Sequence, residues 1–457
     1  MRIRTLDTLS EDGRSRERYR RMALTSAASL ASRGVSMLAS LVSIPLTFRY
    51  LGVERYGLWM ILLSFISVLS FADMGVGSGV MNAISEANGK DDRELQRVYV
   101  TSGLVLMMGI AGILVLAGIA AFPFMPWIRL FNVKSQNVAF EGARAFLVLF
   151  SWFVLNIPLS VITRAQAGLQ KAYWSQIIGA GGNIVSLLAL VFAMFLHGSL
   201  PWLVMASTFG VIVATVMNGL FLFREHPWLI PSLQSFQRNA AKKILANGLM
   251  FFVLQCAYAV SYSSDNIVIA QIIGASAVAF YAVPQKLFGF VTTLVSMGIS
   301  PLWPAYGEAI SRGDFKWVRR AFIVSLFLTV AISSVACATL AFAGPLILRV
   351  AVGKSFSAPT ALLVVLAVWG VVAAISAQLA TLLNGVGVLK IQTIIAVIAS
   401  LCNLTLSIYL TRSFGVVGVC LGSIITQLLI TLPLYSWVIR NLFREIAKRD
   451  LPRIGNL

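Results

Sequence analysis

The chain has 457 residues, 58% of them hydrophobic and 12% charged, with a formal net charge of +19. That charged share is about half of what soluble proteins carry, which excludes a soluble enzyme or a soluble nucleic-acid-binding domain. Cys256, Cys337, Cys402 and Cys420 sit far apart in apolar runs, and His197 and His226 are the only histidines. Neither a disulfide framework nor a histidine-based metal or acid–base site is expected.

Residues 1–21 carry seven Arg among four acids and are expected to form a cytoplasmic N-terminal arm, an amphipathic helix on the membrane surface. They do not read as a signal peptide, because the apolar run that follows is too long and is broken by Arg33. Beyond them, apolar runs are long enough to cross a hydrocarbon core about 30 Å thick at about 1.5 Å per residue. They fall at 22–48, 57–81, 98–121, 140–163, 176–196 and 201–223, and again at 244–271, 276–300, 320–343, 358–383, 391–411 and 416–439. The predicted fold is an all-α polytopic membrane protein of twelve transmembrane helices, since helix satisfies every backbone group in lipid. The expected organisation is an N-lobe at 22–223, a cytoplasmic linker at 224–243, a C-lobe at 244–439 and a basic cytoplasmic tail at 440–457.

Glycines, prolines and charges recur at an offset of 222 positions: Gly52 with Gly274, Glu86-Ala87 with Glu308-Ala309, Arg97 with Arg319 and Pro123 with Pro345. The offset then shortens to 217, pairing Gly168 with Gly385 and Gly198 with Gly415. With the N-terminus inside, inner segments hold 26 Lys and Arg and outer segments 7. By the positive-inside rule this bias places both termini in the cytoplasm. Each copy has an even number of spans, so the copies enter the membrane from the same side as two parallel six-helix lobes. Two such lobes leave a central cavity, which is a transporter layout.

Arg33 lies about eleven residues into the first span and Lys286 about ten into the eighth, both near the midplane on this reading. A lone cation there costs about 2.5–3.5 kcal/mol on insertion scales, so each requires a partner or water. Two readings stand: a structural ion pair, or two cations facing a wet cavity and binding an anion. Asp73 falls toward the cytoplasmic side and Asp265 toward the outer face. Each is either a helix-end residue or part of a gate or coupling device, and Gly75, Gly77 and Gly79 favour a helix end at Asp73. Glu141 and Arg144 have the spacing of an i,i+3 interfacial pair. Arg49 and Arg55 mark the outer ends of spans one and two, as interfacial anchors or, for Arg49, as an outer-end cavity residue.

Pro45-Leu46, then Arg49-Tyr50-Leu51-Gly52-Val53-Glu54-Arg55-Tyr56-Gly57-Leu58-Trp59 and Phe71-Ala72-Asp73-Met74-Gly75, resembles the opening of the bacterial polysaccharide transporters. Ser264-Asp265-Asn266-Ile267-Val268-Ile269, followed by Gly274 and Tyr281, is similar to that family's seventh and eighth spans. These are the O-antigen and exopolysaccharide flippases of the multidrug/oligosaccharidyl-lipid/polysaccharide (MOP) exporter superfamily. The resemblance implies a V-shaped pair of lobes in a MATE-like fold, alternating access to a cationic central cavity in the bacterial inner membrane. It implies a transporter rather than an enzyme, moving an oligosaccharide on a polyprenyl pyrophosphate from the inner to the outer leaflet. Implied partners are membrane lipids and the polysaccharide polymerase or chain-length machinery, with no nucleic acid and no cofactor. The coupling ion is not legible.

The residues bear on that implication independently. A pyrophosphate suits a compact pair of cations, whereas a drug-cation antiporter would need a buried carboxylate at the same depth, and none is evident. A polymerase or ligase acting on the same lipid-linked sugars would keep its catalytic groups in a large outer loop. No outer loop here exceeds about 18 residues or carries paired carboxylates. Gln255, Tyr258, Tyr262, Asn156 and Gln378 are polar groups within spans, a type that more often joins helices than binds ligands.

Overall fold

Apolar runs of this length can satisfy their amides only within helices or closed barrels, and among the described residues the chain is helical, with no strand. The computed structural model describes residues 10–125, 136–352 and 359–450. In chain order the helices are α1 (Glu11–Leu69), α2 (Val76–Gly89), α3 (Arg93–Ala121), α4 (Gln136–Gly168), α5 (Ala172–Phe195), α6 (Leu200–Glu225) and α7 (Arg238–Ile272). They continue with α8 (Ala275–Ile299), α9 (Leu302–Ser311), α10 (Phe315–Val352), α11 (Thr360–Val386), α12 (Leu389–Phe414), α13 (Val416–Thr426) and α14 (Leu432–Asp450).

Among the described residues, eleven helices are long and apolar enough to cross a membrane. The twelfth expected span, at 57–81, is present but interrupted. Its helix stops at Leu69, passes through a 3-10 turn at Ser70–Asp73 and restarts at Val76. The N-terminal arm also departs from expectation. From Glu11 it continues directly into the first span, where a separate helix lying on the membrane was expected. Buried Glu17 holds it by pairing with Arg20 at 2.7 Å and Arg21 at 2.8 Å, and Arg21 Nη1 donates to the Leu169 carbonyl. Residues 1–9 of the arm and 451–457 of the tail lie outside the described residues. The linker is shorter than expected, with two 3-10 turns at Pro227–Leu229 and Leu233–Ser235 leading to α7 at Arg238.

The chain forms two compact units, Met1–Leu249 and Met250–Leu457, and the division falls inside α7. Unit one has a core of Val80, Ile84, Val98, Met107, Val161 and Ile244, and a second cluster around Leu58, Leu62, Phe146 and Leu203. The core of unit two is built on Ile269, Tyr281, Phe288, Leu363, Leu366 and Val419.

Each unit breaks its helices at matching places. Gly52 (φ 72) and Gly274 (φ 123) take positive φ at the first turn of each unit, a conformation glycine adopts without a Cβ penalty. Asp91 (φ 53) and Gly313 (φ 79) do so after α2 and α9, and Gln170 (φ 57) and Gly387 (φ 81) after α4 and α11. The turn hydrogen bonds repeat as well: Asp92 N–H to Ala87 O and Asp314 N–H to Ala309 O, then Lys171 N–H to Gln166 O and Val388 N–H to Leu383 O. A Cβ on Gly168 would meet Met81 O at 2.9 Å, and one on Gly385 would meet Trp303 O at 2.6 Å. Met81 and Trp303 are themselves 222 positions apart. Lipid is as apolar as the helix surfaces, so such backbone-close contacts at small residues are what hold membrane helices together.

Candidate functional site

Both expected cavity cations project from long helices, Arg33 from α1 and Lys286 from α8. Both are exposed within the protein, and among the described residues neither forms a hydrogen bond or ion pair. Lys286 stands eleven residues from the start of α8, about 16 Å along its axis, as expected. Arg33 stands nineteen residues before the break at Gly52, about 28 Å along the axis, which is nearly a whole hydrocarbon thickness from that break rather than half of one. Arg49 is likewise exposed and without such a partner among the described residues, while its neighbour Tyr50 donates to the Gly198 carbonyl at 3.0 Å.

Asp73 ends the 3-10 turn that interrupts the second span. Its Oδ1 accepts from Gly75 N–H at 2.9 Å, and Met74 (φ 47) and Gly75 (φ 69) are both left-handed. It is therefore a break within the span, with Gly77 and Gly79 inside the helix that restarts after it. Arg164, in the penultimate turn of α4, lies against the same place. A Cβ on Gly77 would be 2.8 Å from Arg164 Nε and 3.1 Å from Asp73 Oδ2.

Asp265 is 3% exposed and well inside α7, which corrects the helix-end reading. Tyr281 of α8 donates to its Oδ2 at 2.8 Å, and Gln285 donates to the Tyr281 hydroxyl at 3.2 Å. Cys420 of α13 lies 3.9 Å from that hydroxyl. Asp265 Oδ1 is buried and has no hydrogen-bond partner among the described residues. An acid so placed can take up a proton or a cation, whereas an acid closed into an ion pair cannot do so without breaking the pair.

The expected Glu141–Arg144 pair does not form. Glu141 reaches Arg55 at 3.0 Å with one oxygen and accepts the Leu200 N–H at 2.8 Å with the other, so it ties the segment after Gly52 to the start of α6. Gln378 is fully buried and donates to Ser325 Oγ at 2.5 Å, as an interhelical tie. The Tyr262 side chain lies outside the described residues.

A charged cluster joins the end of α4 to the end of α6 in unit one. Lys171 donates to Glu225 at 2.6 Å and lies 3.0 Å from His226 Nε2. Burial and then the Lys171 ammonium push His226 down to about 4, so the ring is neutral near pH 7 and its Nε2 can accept. Burial also holds Lys171 below its ordinary value, against the pull of Glu225. Arg93 stacks 4.5 Å over Trp228, whose ring packs on His226. These contacts join α4, α6 and the turn after α6, and among the described residues the buried His226 Nδ1 has no hydrogen-bond partner.

Two helical units with a shared plan and, among the described residues, eleven helical stretches long and apolar enough to cross a membrane define a multi-pass membrane protein. The outward-facing structure of a multidrug resistance MATE family transporter of the MOP superfamily matches it with a TM-score of 0.76. That match covers 93% of this chain and 96% of the other at 16% identity, and it shows the fold. A profile of the family described as polysaccharide biosynthesis protein matches residues 25–309, and the chain belongs to that family. A protein provisionally assigned as an O-antigen transporter in Salmonella typhi is 21% identical, over 90% of this chain and 94% of that one. One provisionally assigned as an O-antigen export protein in Yersinia pseudotuberculosis is 23% identical, over 93% and 96%.

Proposed function

We propose that this protein is a flippase that carries a polyprenyl-pyrophosphate-linked oligosaccharide from the inner to the outer leaflet of a bacterial inner membrane by alternating access. The observation that carries the reading is the pair of exposed cations, Arg33 and Lys286, each without an ion-pair partner among the described residues. On a lipid-facing surface Lys286, near the middle of its helix, would cost about 2.5–3.5 kcal/mol and Arg33, nearer the end of its span, less, so a wet surface suits both, where an anion completes them. A pyrophosphate carries the matching charge and oxygens. The O-antigen transport and export assignments of the two relatives favour a saccharide as the rest of the cargo.

In this account the lobes are 22–223 and 244–439, both termini are cytoplasmic, and Arg49 sits at the outer mouth. Asp73 and Asp265 act as gate or coupling groups because each sits where a helix or a hydrogen-bond chain can rearrange. Cysteine accessibility from both faces should shift in Asp73→Asn and in Asp265→Asn; unchanged accessibility would remove them from the mechanism. The cargo reading is tested by complementing a flippase-deficient strain. Arg33→Gln with Lys286→Gln should abolish surface polysaccharide while the protein stays folded and inserted. Full complementation by that double variant would contradict the anion clasp.

A further inference from the structure

The two units give an internal control at the broken span. Ser70–Gly75 unwinds in unit one, while in unit two the positions 222 later, Thr292–Met297, stay helical in α8 and the break before α9 comes at Ser300–Pro301. Irregular backbone at membrane depth is tolerated where it is buried in protein or lines a wet cavity, and broken helices carry the binding sites of many transporters. Both units break this span, but only in unit one does the break fall at an acid.

The charges at the break are also confined to one copy. Asp73 corresponds to Val295, Gly77 to Ile299 and Arg164 to Thr381. Val295 and Ile299 are buried apolar residues, and Thr381 bonds back to Ala377 O of its own helix. The joint is apolar in unit two and charged in unit one. Arg164 is half-buried there, with its stem packed on bare Gly77. Among the described residues its guanidinium closes no ion pair and makes no hydrogen bond, although Asp73 lies beside it. A structural pair would be expected to close, because charge-assisted hydrogen bonds between a guanidinium and an adjacent carboxylate are strong.

We propose that Arg164 is a third anion-binding cation, recruited from beside Asp73 by the pyrophosphate of the cargo arriving from the cytoplasmic side. This rests on the flippase reading above. The planar five-donor guanidinium suits bridging phosphate oxygens better than an ammonium would. Asp73 is the stand-in anion: it holds the cation near the break while the site is empty and competes with the ligand.

The test uses the full-length protein in phosphatidylcholine nanodiscs, titrated with geranylgeranyl pyrophosphate and followed by tryptophan fluorescence. Arg164→Gln should weaken binding about tenfold, a factor worth about 1.4 kcal/mol, with Arg164→Lys between it and the parent. Asp73→Asn should tighten binding about threefold by removing the competitor. A merely structural pair forecasts instead that both single variants lose binding and stability together and that the swap Asp73→Arg with Arg164→Asp restores them. Either result would overturn the proposal. Nanodiscs containing phosphatidylglycerol separate the sources of phosphate. If that lipid abolishes the Arg164 dependence, the site reads headgroups and the proposal fails. Binding that is weakened by Arg33→Gln with Lys286→Gln but unchanged by Arg164→Gln would sink the third cation alone. No binding by the parent protein would sink the flippase reading with it.

Discussion

Unit one and unit two share their bends and differ in their chemistry. The positive-φ turns, the capping hydrogen bonds and the glycine contacts recur at the same offsets. So do two i,i+4 ion pairs, Glu86 with Lys90 and Glu308 with Arg312. Burial alone would raise Glu86, but the ammonium groups of Lys243 and Lys90 hold it below the usual carboxylate range. The charges within the membrane follow no such rule. Arg33 corresponds to Gln255, Lys286 to Ser64, Asp265 to Ser43 and Arg164 to Thr381. What both copies keep builds the lobe, and the proposed cargo contacts are sought among the charges that one copy holds alone.

The comparison breaks first if the shared skeleton is dispensable. Gly168→Val and Gly385→Val each force a branched side chain against a neighbouring helix backbone. Each should cost on the order of 4 kcal/mol or more, leaving little folded protein in detergent by size-exclusion and thermal unfolding. Tolerance of either would mean that the matching contacts do not hold the lobes together.

A smaller, one-sided effect is expected at His226, whose counterpart is Phe443. The ring titrates at 6.5 in an unfolded chain and at about 4 in the folded one. Between those values the unfolded chain binds a proton that the folded ring refuses, so stability falls as pH falls. The loss reaches about 3 kcal/mol at the acid end of the window, and the group contributes no pH dependence above it. His226→Gln should flatten thermal stability across that window. Hydrogen exchange should place the acid loosening in unit one, and an equal loosening of both units would contradict the assignment.

The smallest effect belongs to the Glu141 tie. Arg55 is half exposed, so Arg55→Ala should cost under about 1 kcal/mol. Glu141→Ala also uncaps Leu200 and should cost about 1–2 kcal/mol. Equal costs would mean that the cap contributes nothing.

The repeat was legible because glycines, prolines and charges at one offset survive where apolar residues are interchangeable. The match of Asp91 to Gly313 was hidden, since two different residues take the same left-handed turn. Arg164 was hidden for another reason. With the fourth span ended at 163 it counted as one more loop cation, whereas α4 runs on to Gly168 and carries it inward. Gly75, Gly77 and Gly79 read as a helix end after Asp73, yet only Gly75 lies in the break, and Gly77 makes room for a guanidinium. The Glu141–Arg144 spacing suggested a pair because sequence shows neighbours along a helix, not the Arg55 that another turn brings closer. Asp265 lay in the resemblance motif, but its Tyr281 partner depends on how α8 packs against α7.

Transport itself is the most direct test of the claim that the unshared cations serve the cargo. A short-chain prenyl-pyrophosphate disaccharide would be placed in the inner leaflet of proteoliposomes, and its arrival outside counted by lectin binding. The account predicts that the parent protein moves the lipid and that the variant carrying Arg33→Gln and Lys286→Gln does not, at equal reconstitution and equal thermal stability. Equal rates for the two proteins would contradict it.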